Sequence, residues 1–300
     1  MRVVVVGCGY VGLALASQLA DSGHRVTGVR RSAAGLTAIE AVDETVDAVR
    51  ADVTDADSLG RLPDADAVVF AASSGGGGAA AARAVYVTGL GNVVDEYRSR
   101  GSSPDRIVYA SSTGVYGDHD GGWVDENTPI EPTTEKTQVL AEAERVAREQ
   151  SADAGIDGTV VRFAGLYGPN RYRLRRYLDG PVTPGYLNMV HRVDAAGVIR
   201  HLLEADAAHG GVVVAADDEP VDKHAFADWL ADACGVERPA KQSVAERIAT
   251  GDLSSAAKRR VRGSKRCSNA RLRGLGYEFV HPTFRSGYRD AVRAFRAERA

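Results

Sequence analysis

Val3 to Val6 is an unbroken β-branched run ending at Gly7, the pattern of a strand covered on both faces of a parallel sheet. Leu13, Leu15, Ala16 and Leu19 then recur at helical spacing until Asp21-Ser22-Gly23 stops the helix. Arg25 to Val29 predicts the second strand. The alternation continues with strands over Ala67 to Ala71, Arg106 to Ala110 and Gly158 to Arg162, and with helices over Ala80 to Arg98 and Thr133 to Gln150. Strands separated by helices of this length predict βαβ units, and so an α/β fold built on a Rossmann-type doubly wound parallel sheet.

Near residue 166 the texture changes. Gly168-Pro169, Gly180-Pro181 and Pro184-Gly185 break residues 166–185 into turns, which reads as a loop region contributing to a substrate cleft. A helix over Ala195 to Glu204 and a strand over Val212 to Ala215 then resume the rhythm. Three hundred residues exceed the usual size of one core, so the pattern predicts a nucleotide-binding domain over 1–216 and a smaller C-terminal α/β substrate domain over 217–300. Gly75 to Gly78, followed by four alanines, reads either as a slack loop or as a loop that closes over a cofactor.

Composition narrows the function classes. With 44% hydrophobic and 26% charged residues the chain can bury a full core. A net charge of -3 gives no global attraction to nucleic acid or to an anionic membrane, so a small-molecule substrate is the expected partner. Basic residues do cluster over Lys258 to Arg273 and at Arg171, Arg173, Arg175 and Arg176; each cluster reads as a solvated face or as a receptor for a substrate phosphate. Nucleic-acid contact through the first cluster is a further reading. Cys8, Cys234 and Cys267 are odd in number and widely separated, which implies neither a disulfide framework nor a metal site. The apolar run after Met1-Arg2 is too short for a signal-peptide core and no 18-residue apolar run follows, so a cytoplasmic protein is expected.

The candidate chemistry starts at the first turn. Gly7-Cys8-Gly9-Tyr10-Val11-Gly12 fits G-x-G-x-x-G directly after a buried strand and before a helix, the setting of a dinucleotide site. Gly7 permits the tight turn, Gly9 lets the backbone approach a pyrophosphate beside Tyr10 and Val11, and Gly12 allows close helix–strand packing. The helix N-terminus adds amide donors and a favourable dipole. An NAD site would place an acid about 20 residues further on. This chain has Arg30-Arg31-Ser32 there, and a guanidinium bond to a 2′-phosphate contributes about 1.5–3 kcal/mol. NADP is therefore expected in preference to NAD, the alternative being two solvated surface arginines.

Four segments together carry a resemblance: the glycine loop, Val108-Tyr109-Ala110-Ser111-Ser112-Thr113-Gly114-Val115-Tyr116-Gly117, Arg162-Phe163-Ala164-Gly165-Leu166-Tyr167-Gly168-Pro169, and Asn188-Met189-Val190-His191-Arg192-Val193-Asp194. They resemble the extended short-chain dehydrogenase/reductase superfamily, in its NAD-dependent epimerase/dehydratase (nucleoside-diphosphate-sugar epimerase-like) group. Asp217-Asp218-Glu219-Pro220, Ser264 to Asn269 and His281 to Gly287 resemble an atypical subgroup of it, largely of unassigned substrate. The resemblance implies that Asp52 and Val53 hold the adenine, that Ala71 and Ala72 end the strand beneath the cofactor, and that Ser112 is the catalytic serine. It also implies a homodimer through the helices Ala80 to Arg98 and Thr133 to Gln150.

The superfamily's acid–base chemistry uses a tyrosine and a lysine four residues apart on one helix face, where the ammonium lowers the phenol pKa. The family's helix ending aligns on Gln138-Val139-Leu140-Ala141-Glu142, which puts Thr134 at the tyrosine position and Gln138 at the lysine position. Lys136 is two positions out of register and is expected on another helix face, in solvent. Tyr116, four residues after Ser112, is the candidate substitute, either as acid/base or as an aromatic packed under the nicotinamide. His119, His191 and Tyr167 come from segments the family gathers near its cleft. Two readings follow: an NAD(P)-dependent oxidoreductase, epimerase or dehydratase acting on a small carbonyl or sugar-nucleotide-like substrate, and a non-catalytic NAD(P)-binding sensor or regulatory protein.

Overall fold

The valine run forms β1 (Arg2–Val6), followed by β2 (Arg25–Arg30), β3 (Val46–Arg50), β4 (Ala67–Phe70), β5 (Arg106–Ser112), β6 (Asp157–Phe163) and β7 (Val212–Ala215). The structure is a computed structural model that describes residues 1–299, apart from the side chains of Ser255, Ala256, Arg259 and Arg260. The seven strands make one parallel sheet in the order β7-β6-β5-β4-β1-β2-β3. The chain grows outward from β1 to β3, then returns to β1's other side at β4. The strand order thus reverses between β1 and β4, where open α/β sheets bind ligands.

Period-two alternation explains why both faces are covered. Val3 and Val5 enter one core with Leu15, Leu19 and Val69, while Val4 and Val6 enter the other with Phe70, Leu90, Val93 and Tyr97. The first helix, Tyr10–Asp21, buries Val11, Gly12, Leu15, Ala16 and Leu19 on one stripe.

Two of the helices depart from ideal α geometry. The predicted Ala80 to Arg98 helix is three abutting segments: Ala79–Arg83, a π-helical turn Ala84–Thr88, and Gly89–Ser99. The predicted Thr133 to Gln150 helix starts with Thr134 as N-cap, runs as α over Glu135–Arg145, and continues through a second π turn, Val146–Gln150. Thr134 Oγ1 accepts from the Thr137 amide while Thr137 Oγ1 accepts from the Thr134 amide, each at 3.0 Å.

A third apolar cluster lies off the sheet, where Phe226, Leu230, Phe284, Tyr288 and Phe295 pack with Tyr167 and Met189. Tyr172, Leu174, Tyr177 and Leu178, from the turn-rich segment, pack against it. The C-terminal part of the chain is shared between cores, because Cys267, Leu272, Tyr277 and Phe279 return to the sheet. Among the described residues no helix is long and apolar enough to cross a membrane.

Candidate active site

The glycine loop closes at the strand-order reversal. The Gly7 and Cys8 amides both donate to Val29 O at 3.1 Å, and the Ala71 amide donates to Val6 O at 2.8 Å, so the ends of β1, β2 and β4 share one rim. Gly7 has φ +81°, and a Cβ there would lie 2.2 Å from the Ala72 Cα, so this turn admits no side chain. A cleft of about 830 Å³ opens at this rim.

Gly7, Gly9, Tyr10 and Val11 line the cleft, as do Arg30, Arg31, Asp52, Val53, Ala71, Ala72 and Ser112. Gly12 is the exception among the expected cofactor residues: it lies beneath the cleft, where a Cβ would sit 3.1 Å from Val5 Cγ1. Asp52 accepts from the Thr54 amide and hydroxyl at 3.0 and 2.8 Å. The amide bond above all, with the hydroxyl and the Arg31 charge, outweighs burial and holds its carboxyl below the usual range. Cys8 is buried, and loss of hydration pushes its thiol up to about 12, which leaves it unreactive in the loop.

The two arginines at the end of β2 divide their work. Arg30 turns inward, its Nη1 donating to Cys8 O at 3.2 Å beneath the loop. Arg31 turns outward, 3.8 Å from Asp52, into a second hollow of about 790 Å³ that continues the cleft. Arg50 and Arg61 line that hollow with Ser32. Sequence reading missed both: Arg50 pairs with Arg30 across β2 and β3, the latter a strand the sequence pattern did not predict, and Arg61 follows the short helix Ala56–Leu59.

Several residues offered above as acids or bases lie elsewhere. Tyr116 is fully buried, and Arg162 Nη1 donates to its hydroxyl at 2.8 Å. Burial, only partly offset by Arg162, pushes that phenol up to about 12. Arg162 is itself bound by the buried Glu144 at 2.7 Å, and Ser111 Oγ donates to Glu144 at 2.6 Å. Tyr116 is therefore a pinned core residue away from the cleft. His119 donates from Nε2 to Tyr116 O at 2.9 Å, and Tyr167 is buried against Tyr288 with ring centroids 4.9 Å apart. His191 is buried, accepts from the Val193 amide at Nδ1, and has its pKa pushed down to about 4, first by burial and then by His281 and Arg192. None of these three lines the cleft.

The helix Glu135–Arg145 turns a different face inward from the one expected. Lys136 and Leu140, one turn apart, line the cleft, whereas Thr134 is the cap and Gln138 is exposed. Lys136 is exposed and on another helix face from Thr134 and Gln138, as expected, but that face is the one that lines the cleft: the cap sets the first turn, and i, i+4 spacing carries Lys136 over the same rim as Leu140. Tyr86, on the first π turn, also lines the cleft and carried no sequence signal. Ser112 Oγ accepts from the Gly114 amide at 3.1 Å, which fixes the side chain while leaving its proton to donate.

Outside the cleft, His191, Asp194 and His281 offer ligand atoms within 4.8 Å of one another. Asp194 already accepts from the Val280 and His281 amides, at 2.7 and 3.0 Å, and from Tyr277, so these contacts clamp the C-terminal segment. Of the arginine cluster at 171–176, Arg171 reaches the cleft, its guanidinium 4.6 Å from the Tyr10 ring centroid, with Arg192 at 5.0 Å from the same ring. Arg175 and Arg176 lie over Phe295 and Tyr177. In the Lys258 to Arg273 stretch, Lys265 bonds Gly117 O, Arg266 bonds Gly121 O and Arg273 pairs with Asp218, while the Arg259 and Arg260 side chains lie outside the described residues.

A family model described as "NAD dependent epimerase/dehydratase family" matches residues 3–215. The chain is 30% identical over 287 residues to protein YeeZ of Escherichia coli K12, covering 94% of this chain and 96% of that one. A structure from Methylobacillus flagellatus, provisionally described as an NAD-dependent epimerase/dehydratase, superposes with a TM-score of 0.77 at 30% identity, covering 100% of this chain and 99% of its own. The dTDP-glucose 4,6-dehydratase DesIV of Streptomyces venezuelae, solved with NAD and TYD bound, superposes with a TM-score of 0.79 at 22% identity, covering 100% and 98%, and supports the fold.

Proposed function

The chain belongs to the NAD dependent epimerase/dehydratase family, and on that premise we propose that it is an NADP-preferring enzyme that oxidises, reduces or rearranges a small carbonyl or sugar-nucleotide-like substrate. The observation that carries this reading is the continuous cleft that joins the glycine loop to Ser112 at one end and to the Arg31 hollow at the other. The residues fit a dinucleotide: the Gly7 turn admits no Cβ, and the helix begins at Tyr10 with Gly9, Tyr10 and Val11 lining the cleft. Asp52 and Val53 line the cleft and would hold the adenosine, and Arg31, Arg50 and Arg61 line the hollow that would receive a 2′-phosphate. When bound, the cofactor supplies a reversible hydride acceptor at its nicotinamide. Ser112 would donate to a substrate oxygen and polarise its carbonyl, and Arg171, over Tyr10, would meet a substrate anion at the mouth.

Calorimetric titration of the purified protein with NADPH and NADH tests this, followed by turnover on a panel of carbonyls, alcohols and sugar nucleotides. Tighter NADPH binding that is lost in Gly9→Ala, together with turnover of any panel member, is the expected result. Absence of binding by both cofactors would overturn the reading. The non-catalytic sensor remains the second reading because the helix bearing Thr134 and Gln138 presents neither a tyrosine nor its expected lysine to the cleft; bound cofactor never consumed across the panel would favour it. The reading extends to a homodimer through the two π-interrupted helices, which sedimentation velocity tests.

A further inference from the structure

With Tyr116 pinned in the core, the acid–base group must be sought among the side chains of the cleft itself. Its titratable candidates among the described residues are few. Asp52 is at the adenosine end and its carboxylate is engaged by Thr54. The Tyr10 hydroxyl donates to Pro169 O at 3.2 Å, and burial pushes that phenol up despite Arg192 and Arg171. Tyr86 and Lys136 remain.

Tyr86 sits in the π-helical turn Ala84–Thr88, an irregularity of the kind often retained at functional sites because it re-aims side chains. Its phenolic oxygen is an acceptor: the Ser74 amide and the Ser74 hydroxyl each donate to it at 3.3 Å. Both bonds strengthen when the oxygen is negative. The helix carrying Lys136 packs against this turn. Burial alone would raise the Tyr86 pKa, yet the bonds from Ser74 and Ser73 and the Lys136 charge together bring it below the ordinary phenol value. The other charged or titratable groups near this turn are Arg83, paired with Glu142, and Tyr109, whose raised pKa reflects burial first and then Glu144 and Tyr86. The buried phenols of Tyr97, Tyr116, Tyr167, Tyr277 and Tyr288 are shifted the opposite way, each chiefly by burial.

We propose that Tyr86 is the acid–base residue of this site and that Lys136, from a different helix, is its positioning residue. This rests on the nicotinamide-enzyme reading above. In the oxidative direction the substrate O–H bond breaks and its proton passes to the Tyr86 phenolate. The nicotinamide of a dinucleotide held at the glycine loop would supply the two-electron acceptor for the carbinol C–H pair, which balances the oxidation of the carbinol to a carbonyl as Tyr86 takes the proton. In the reverse direction the Tyr86 phenol returns the proton to the carbonyl oxygen. The tyrosine–lysine chemistry is thus assembled from two helices instead of one helix face, and Ser73 and Ser74, leading into the glycine stretch, tune it.

Ultraviolet difference titration of phenolate in the cofactor-free protein tests the pair directly. Wild type should show one tyrosine ionising below the usual value near 10. That step should vanish in Tyr86→Phe, move to higher pH in Lys136→Met, and be restored by Lys136→Arg; unchanged unfolding midpoints would show that the variants fold. A Tyr86→Phe curve superimposing on wild type would overturn the pair while leaving cofactor binding and turnover standing. On an identified substrate, Tyr86→Phe should lower kcat by about 10²–10⁴-fold with the NADPH Kd unchanged. Retention of wild-type kcat would refute the acid–base role, and a low-pH step in a protein that turns nothing over would refute that role and the enzyme reading together.

Discussion

Arg31→Ala tests the proposed NADPH preference at one side chain. The Arg31 side chain is 67% exposed and lies 3.8 Å from Asp52, an exposed pair worth about 0–1 kcal/mol, so little holds it back from a phosphate. One charge-assisted bond from it to a 2′-phosphate contributes about 1.5–3 kcal/mol. Its loss should therefore weaken NADPH about 10- to 100-fold. Binding should persist beyond that loss, because Arg50 and Arg61 each commit one N–H to a backbone carbonyl, Arg31 O and Arg50 O, and keep their other donors. NADH has no phosphate at this position, so its Kd should hold. Arg30→Ala is the control: removing the bond from Nη1 to Cys8 O loosens the loop that both cofactors use, and both should weaken together. Calorimetric titration at low and moderate salt reads all of this, and the Arg31 effect should shrink as salt screens an exposed charge. An unchanged NADPH/NADH ratio in Arg31→Ala, or wild-type preference for NADH, would refute the assignment.

Other consequences follow from the buried polar groups. Glu144→Ala leaves Arg162 charged and unpaired in the core and should cost about 3–5 kcal/mol in urea unfolding, whereas Glu144→Leu combined with Arg162→Met should recover much of it; a single-variant loss under about 1 kcal/mol would count against the network. Asp217 is buried, and burial, aided by Asp218 and Glu219 against the Glu219 amide, pushes its carboxyl up to about 8. A raised folded-state pKa contributes stability below the unfolded value, lost as pH rises through the folded one. Wild type should therefore lose stability relative to Asp217→Asn as pH climbs from about 4 to 8 and level off above it; a difference independent of pH would sink the argument. Cys8, Cys234 and Cys267 are all buried, so the native protein should resist thiol alkylation that goes to completion in denaturant; rapid modification of Cys8 under native conditions would show that the loop opens.

What was legible in the sequence was local. The valine run, the helical spacing after it and the glycines between them identify a strand, a turn and a helix by steric and periodic rules that act over a few residues. The position of Gly7 under Ala72 could be anticipated because only a residue without Cβ completes that turn. Arg31 was visible for the same reason: a residue at the end of the second strand must lie at the rim. Arg50 and Arg61 were not, since Arg50 reaches that rim by pairing with Arg30 on a strand the sequence pattern did not predict, and Arg61 arrives there after the short helix Ala56–Leu59.

The side chains proposed for acid–base chemistry mark the same boundary more sharply. Sequence spacing from Ser112 favoured Tyr116, yet a 3-10 turn directs that ring into the core, where the Arg162–Glu144 pair holds it. Motif alignment chose Thr134 and Gln138, yet capping fixes where the helix begins and so which face, Lys136 and Leu140, meets the cleft. The sequence by itself determined six of the seven strands, the glycine turn after the first of them and the place of Arg31 at the rim, because each follows from near neighbours along the chain. Which phenol and which ammonium share the cleft was decided by tertiary packing alone: Tyr86 and Lys136 are fifty residues apart, and the π turn and helix contact that bring them to one surface leave no pattern in either segment.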